Sequence, residues 1–100
     1  MYHSIMIDGI HKISIEKIVK ELFSEMLTDK QIKSHKINFK VLAFDVPCTY
    51  IIINFKSFIS KIDKLVYKIE RTLFDSGYHI LSYPVYVDYA NCGSDSKTKK

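Results

Sequence analysis

Two stretches of the chain carry apolar residues at the three- and four-residue spacing that is typical of an amphipathic helix. The first runs over residues 14–29 and the second over residues 57–76. Ser14 can act as the N-cap of the first stretch, and Gly77 follows the second where helices commonly end. The pattern therefore predicts two long helices.

Strand patterns occupy most of the remaining chain. Residues 36–45 and 49–55 are β-branched, aromatic or alternating, and Asp45-Val46-Pro47-Cys48 between them is typical of a turn, which predicts an antiparallel hairpin. Residues 78–90 predict a last strand, in which Pro84 favours an edge position. Near the N-terminus, Ile5 and Ile7 alternate with residues of other types and indicate a first strand, although Ile7 also fits the phase of a longer first helix.

With a first strand, the element order is βαββαβ, which resembles the ferredoxin-like plait, an α+β two-layer sandwich with both helices on one sheet face. With a longer first helix, the order is αββαβ and resembles a K-homology-like module. We expect residues 1–90 to form a single domain. Residues 91–100 are small and polar, and we expect a flexible tail there.

Composition narrows the class of protein. The 100 residues include two cysteines, which are too few for a disulfide framework and favour a reducing, cytoplasmic location. No apolar run approaches the roughly 18 residues of a membrane span, so no membrane partner is expected. The net charge is +4, but Arg71 is the only arginine, and residues 97–100 supply part of the excess. A basic nucleic-acid footprint usually contains more arginine.

The residues that carry chemistry are scattered. The four histidines lack neighbours at metal-ligand spacing, so no metal or other cofactor is expected. Cys48 follows Pro47 without a base beside it in sequence, and no glycine-rich phosphate loop or paired carboxylates are present. We therefore expect a protein that is not an enzyme and has no small-molecule substrate.

Residues 48–55 (CTYIIINF) lie where an RNA-recognition motif carries its aromatic octamer, and the predicted element order resembles that family. Tyr50 and Phe55 match two of its positions, whereas the basic-Gly opening is absent and Ile52 replaces an aromatic residue. Residues 44–45 and 83–88 resemble segments of the bacterial ribosome-binding factor family and follow each other in the same order, and residues 46–55 resemble a segment of phage tail-completion proteins. The resemblance to the RNA-recognition motif implies binding of RNA; no function or site residue is carried over from the other two.

The predicted sheet has apolar residues on both faces. In a two-layer fold the face away from the helices should be polar, yet residues 51–53 are all isoleucine and tyrosines recur in the last strand. A large exposed apolar and tyrosine-rich patch commonly marks an interface. We therefore predict a protein-association module that binds itself or another protein through this face, with these candidate residues: Leu42, Phe44, Tyr50, Ile52 and Tyr86.

An alternative function is binding of RNA or DNA. Residues 30–44 contain no acidic residue, and the basic side chains there could contact a phosphate backbone, assisted by the basic tail. The candidate residues for this alternative are Lys30, Lys33, His35, Lys36 and Lys40.

Overall fold

The computed structural model describes residues 1–87, with the side chains of residues 1–81. The elements, in chain order, are the following: β1 (Tyr2–Asp8), α1 (Lys12–Met26), α2 (Asp29–His35), β2 (Asn38–Phe44), β3 (Cys48–Asn54), α3 (Ser60–Asp75) and β4 (Ile80–Val87). The result is an α+β domain with a four-stranded antiparallel sheet and three helices. The predicted tail at residues 91–100, and the predicted end of the domain at residue 90, lie outside the described residues.

The N-terminal segment is a strand, and the longer first helix is therefore wrong. β1 lies in the interior of the sheet, in the order β2-β3-β1-β4. It pairs with β3 over seven residues, from Tyr2 opposite Asn54 to Asp8 opposite Cys48. Two strands can flank β1 only if its backbone groups on both sides are hydrogen-bonded, which a helix over the same residues would not provide.

The hydrophobic core lies between one face of the sheet and the helices α1 and α3. The strands contribute side chains such as Ile5, Ile51 and Ile53, and the helices contribute Val19 and others, all without exposed surface. The face of the sheet that points away from this core is called the open face below.

α2 is the element that the sequence pattern did not predict. The predicted first helix ended at Asp29, whereas α1 ends at Met26 and a separate helix begins at Asp29. Thr28 caps α2 by a reciprocal pair of hydrogen bonds: the Gln31 amide donates to Thr28 Oγ1 at 3.1 Å, and the Thr28 amide donates to Gln31 Oε1 at 2.9 Å. Such a capping box satisfies two amides that would otherwise lack partners at a helix start.

The bounds of the long helices also differ from the prediction. α1 begins at Lys12 with His11 as its N-cap, so the cap predicted at Ser14 is wrong. α3 begins at Ser60, three residues later than predicted, and Phe58 lies before it with 43% of its surface exposed. α3 ends at Asp75, and Gly77 follows the C-cap Ser76 with φ of +90°, as predicted for the residue after the helix.

A buried threonine fixes the loop between β1 and α1 against the hairpin. Thr49 has no exposed surface; its hydroxyl donates to the Gly9 carbonyl at 2.8 Å and accepts from the His11 amide at 2.9 Å. The Gly9 amide donates to the Pro47 carbonyl at 2.8 Å. Gly9 has φ of +89°, a backbone conformation that residues with a Cβ rarely adopt, which explains glycine at this position.

None of the helices in the described part of the chain combines the length and the apolar character that a membrane span requires.

Candidate site on the open face of the sheet

Cross-strand registers define the rows of side chains on the two faces of the sheet. Leu42 lies opposite Tyr50, and Tyr50 lies opposite Met6, so one row crosses β2, β3 and β1. The adjacent rows on the open face are Lys40–Ile52–Ser4 and Phe44–Cys48–Asp8. Directly opposed residues in antiparallel strands lie on the same face, so these nine residues form one continuous surface.

The middle row is apolar across all three strands. Met6, Leu42 and Tyr50 are each partly exposed, whereas Ile51, which follows Tyr50 in sequence, is fully buried. Ile52 is also partly exposed, and Phe44 exposes 46% of its surface. We call Met6, Leu42, Phe44, Tyr50 and Ile52 the open-face cluster.

Phe44 and Tyr50 hold each other in place within this cluster. Their ring centroids are 5.1 Å apart and the rings are nearly perpendicular, at 88°. Edge-to-face contacts of this kind are favourable beyond the area that they bury. The two rings border a shallow cavity of about 370 Å³, which is lined by Met6, Phe44, Val46, Cys48 and Tyr50.

Four of the five predicted interface residues therefore lie together. Leu42, Phe44, Tyr50 and Ile52 belong to the open-face cluster, because strand alternation correctly separated them from their helix-facing neighbours. Tyr86 is directly opposite His3, a helix-facing residue, in the register of β1 with β4, so it lies in a helix-facing row and not with the open-face cluster as predicted; its side chain lies outside the described residues.

The sequence reasoning missed three contributors. The alternation of β1 places Met6 on the open face, and this becomes evident once β1 is known to be an interior strand of the sheet. Cys48 is 6% exposed and lines the cavity as an apolar residue. Val46, in the hairpin turn, is 75% exposed and extends the apolar surface beyond the strand ends; no periodic signal marks such a position.

The predicted nucleic-acid residues are divided between two elements. Lys30 and Lys33 lie on α2, which has no buried residue and which the apolar pattern did not predict. His35 ends α2, with its Nδ1 atom 2.6 Å from Ser57 Oγ, and Lys36 is its C-cap in the left-handed conformation, with φ of 50°. Lys40 instead lies on β2, opposite Ile52, at the border of the open-face cluster.

His3, in β1, is a buried histidine on the helix-facing side of the sheet. Burial lowers the pKa of His3 below its ordinary value, and the carboxylate of Asp63, whose Oδ1 is 3.8 Å from His3 Nε2, opposes that effect by raising it. His3 pairs with Ile53 in the register of the helix-facing side, so it does not belong to the open-face cluster.

Among the described residues, no group of three or more metal-ligating side chains comes together. In comparisons with known proteins, no family model matches the chain, and neither a curated protein nor a solved structure is significantly similar to it.

Proposed function

We propose that this protein is a non-enzymatic association module that self-assembles or docks onto a larger complex through the open-face cluster. The observation that carries the proposal is the apolar row Leu42–Tyr50–Met6 on the face of the sheet that no helix covers in the described part of the chain. Exposed apolar patches are costly in a monomer unless a partner covers them. Tyrosine suits such a surface, because its ring buries area while its hydroxyl reaches water or a partner.

The charge distribution supports a protein partner. Lys40 and Asp8 lie on opposite sides of the apolar row, so the rim of the cluster carries both signs. An apolar centre with a mixed polar rim is the usual anatomy of a protein interface. A uniformly anionic partner would be attracted at one side of this surface and repelled at the other.

Lysine substitutions on the two surfaces of the molecule test the proposal. We expect Tyr50→Lys and Phe44→Lys to abolish self-association or recovery of native complexes, measured by sedimentation velocity of the purified protein and of extracts from the source cells. Tyr67→Lys is the matched control, because Tyr67 is an aromatic residue of α3 that is 63% exposed. Circular dichroism should show that all three variants fold. Association that survives both open-face variants as well as it survives Tyr67→Lys would contradict the proposal.

Binding of RNA or DNA is the second candidate, and the last turn of α2 supports it. Lys33 and His35 lie in that turn, Lys36 follows, and the Lys56 amide donates to the His35 carbonyl, which brings a fourth basic residue to the same place. Such a cluster can attract a phosphate backbone. This function predicts that the protein is retained on a nucleic-acid column at physiological salt. Retention should be lost in Lys33→Glu and kept in Tyr50→Lys. Elution by about 0.1 M salt would instead indicate nonspecific electrostatic binding.

We propose further that the fold is the ferredoxin-like plait. Its support is the interleaving of two β-α-β units: β3 lies between β1 and β2, and β1 lies between β3 and β4. In this assignment α2 is an additional helix in the connection between α1 and β2, within the first β-α-β unit. An experimental structure that includes residues 82–100 tests this assignment.

A further inference from the structure

Two exposed isoleucines near the start of α1 belong neither to the core nor to the open-face cluster. Ile13 exposes 85% of its surface and Ile10 exposes 59%. Both line a cavity of about 380 Å³ together with Ala43 of β2. Ala43 lies opposite the buried Thr49, so this cavity is on the helix-facing side of the sheet.

A second cavity continues this surface along β2. Its volume is about 570 Å³, and its lining residues are Ile13, Glu16, Lys17 and Lys20 of α1 and Phe39 of β2. The Phe39 ring packs against Phe23 of α1, with the ring centroids 4.8 Å apart. Because Ile13 lines both cavities, they form one groove between α1 and β2, which we call the edge groove.

The backbone of β2 borders the edge groove and is open to a further strand. Among the described residues, β2 pairs as a strand with β3 alone, in unbroken register over Asn38–Phe44. A strand added to β2 has alternate side chains on the helix-facing side, where the edge groove lies. Backbone hydrogen bonds and pockets for alternate side chains are the two sources of affinity when a peptide adds to a sheet edge. β4, at the other edge, is less suitable because Pro84 lacks an amide hydrogen.

Charge selects the chemistry of the added strand. Three lysines, Lys12, Lys17 and Lys20, line the edge groove, and Glu16 is the one acidic residue beside them. Lys40 is the only charged residue of β2 itself. A surface with this excess of positive charge is complementary to an acidic partner.

We propose that β2 and the edge groove bind an extended, acidic segment of another protein, which adds to the sheet as a further strand. Its apolar side chains face Ile13 and Phe39 in the groove, and acidic side chains alternate with them on the side of Lys40. A second copy of this chain fits less well, because its β2 would bring Lys40 to a surface that is already positive. A nucleic acid has no amides and carbonyls at strand spacing. The inference goes beyond the proposed function, because it uses the edge groove rather than the open-face cluster.

A synthetic peptide tests the inference. The probe has about eight residues, the length of one strand, and valine alternates in it with glutamate. The comparison peptide has lysine in place of glutamate. We expect the glutamate peptide to bind at least about tenfold more tightly in an NMR titration of the full chain. It should also slow the exchange of one alternate set of amides within Asn38–Phe44, because these amides then donate to the peptide.

Variants on two helices locate the binding. Lys17→Glu combined with Lys20→Glu should weaken binding of the glutamate peptide about tenfold, because it reverses the charge of the edge groove. Lys61→Glu combined with Lys64→Glu is the matched control, because these lysines are exposed and have the same spacing but lie on α3. This control should bind the peptide as the unmodified protein does. Circular dichroism should show that both variants fold.

Several results would overturn the inference. The glutamate peptide could fail to bind at millimolar concentration, bind no better than the lysine peptide, or bind without slowing exchange in β2. Equal losses in the α1 and α3 variants would show that the groove is not the site. Displacement of the peptide by a short single-stranded DNA that binds more tightly would assign the groove to nucleic acid. Slow exchange of these amides in the free protein would assign the edge to the same chain.

These outcomes are separable from the test of the proposed function. Tyr50→Lys changes the open face and should leave peptide binding as it is, whereas the Lys17 and Lys20 variant should leave association through the open face as it is. A protein that associates through Tyr50 but does not bind the glutamate peptide would contradict strand addition at β2 and support the association module.

Discussion

The two faces of the sheet contain similar residue types but differ in what surrounds them. Ile51 and Ile53 point towards α1 and α3 and have no exposed surface, whereas Ile52 between them lies on the open face and is partly exposed. The helices α1 and α3 cover the helix-facing rows, whereas the open-face rows contain the Phe44–Tyr50 pair and a shallow cavity. Core packing therefore accounts for one set of apolar residues in β3, whereas the other set has no role in the core and is the set on which the proposed function rests.

Truncating neighbouring isoleucines gives the largest expected difference. Ile51→Ala should lower the free energy of unfolding by about 2–5 kcal/mol, because it leaves a cavity in a packed core. Ile52→Ala should lower it by about 1 kcal/mol or less, because solvent fills the space. Urea denaturation of the two variants measures both values. Equal losses would mean that the open face is packed as tightly as the core.

The buried hydroxyl of Thr49 gives a smaller difference on the helix-facing side. Thr49→Val keeps the shape of the side chain but leaves the Gly9 carbonyl and the His11 amide without this partner, which should cost about 1–3 kcal/mol. Thr49→Ser keeps both hydrogen bonds and serves as the control for the methyl group. The prediction fails if the urea midpoint of Thr49→Val lies above that of Thr49→Ser.

The titration of His3 gives the smallest expected effect. Because burial lowers the pKa of His3 in the folded protein, the unfolded chain binds more protons near the ordinary histidine pKa of 6.5. The contribution of His3 to stability is therefore complete above that pH and is lost as the pH falls from 6.5 towards the lower folded pKa. The urea midpoint should decrease between about pH 7.5 and about pH 5.5, and should decrease less in His3→Phe. If the urea midpoint decreases equally in both proteins, His3 is not the cause of the decrease.

Much of the fold could be predicted from periodicity. The strands β1 and β3 and the helices α1 and α3 have apolar side chains at the correct spacing, and this pattern reports which side chains meet the core. Ile5 and Ile7 are examples: their two-residue alternation predicted a strand, and both are fully buried. Phe58 shows the limit, since it fits the α3 stripe but lies before the helix and is exposed.

α2 could not be predicted from periodicity, because a helix without buried residues has no apolar stripe. Met26 and Leu27 also continued the pattern of α1 up to the junction. The readable signal was Thr28-Asp29-Lys30-Gln31, the spacing of a capping box, which marks a new helix start. This signal places Lys30 and Lys33 on the surface of a helix.

The candidate site was predictable only where strand alternation applies. Alternation placed Leu42, Phe44, Tyr50 and Ile52 on one face, and register then added Met6 from a strand that is distant in sequence. The register that adds Met6 joins β1 to β3, about forty residues away in sequence, so it could not be predicted from either segment alone. Val46 belongs to a turn, where neither alternation nor helical period predicts the direction of a side chain.

The position of β1 within the sheet has a consequence for how the protein is made. β1 is synthesised before both of its neighbours in the sheet, β3 and β4, the nearer of which begins only at Cys48. At about 5–20 residues per second, the ribosome needs about 2–8 s to add the roughly 40 residues in between. During that interval Ile5 and Ile7 have no strand to pair with, so the nascent chain depends on later segments to complete its centre. Folding dominated by such distant pairings is intrinsically slow.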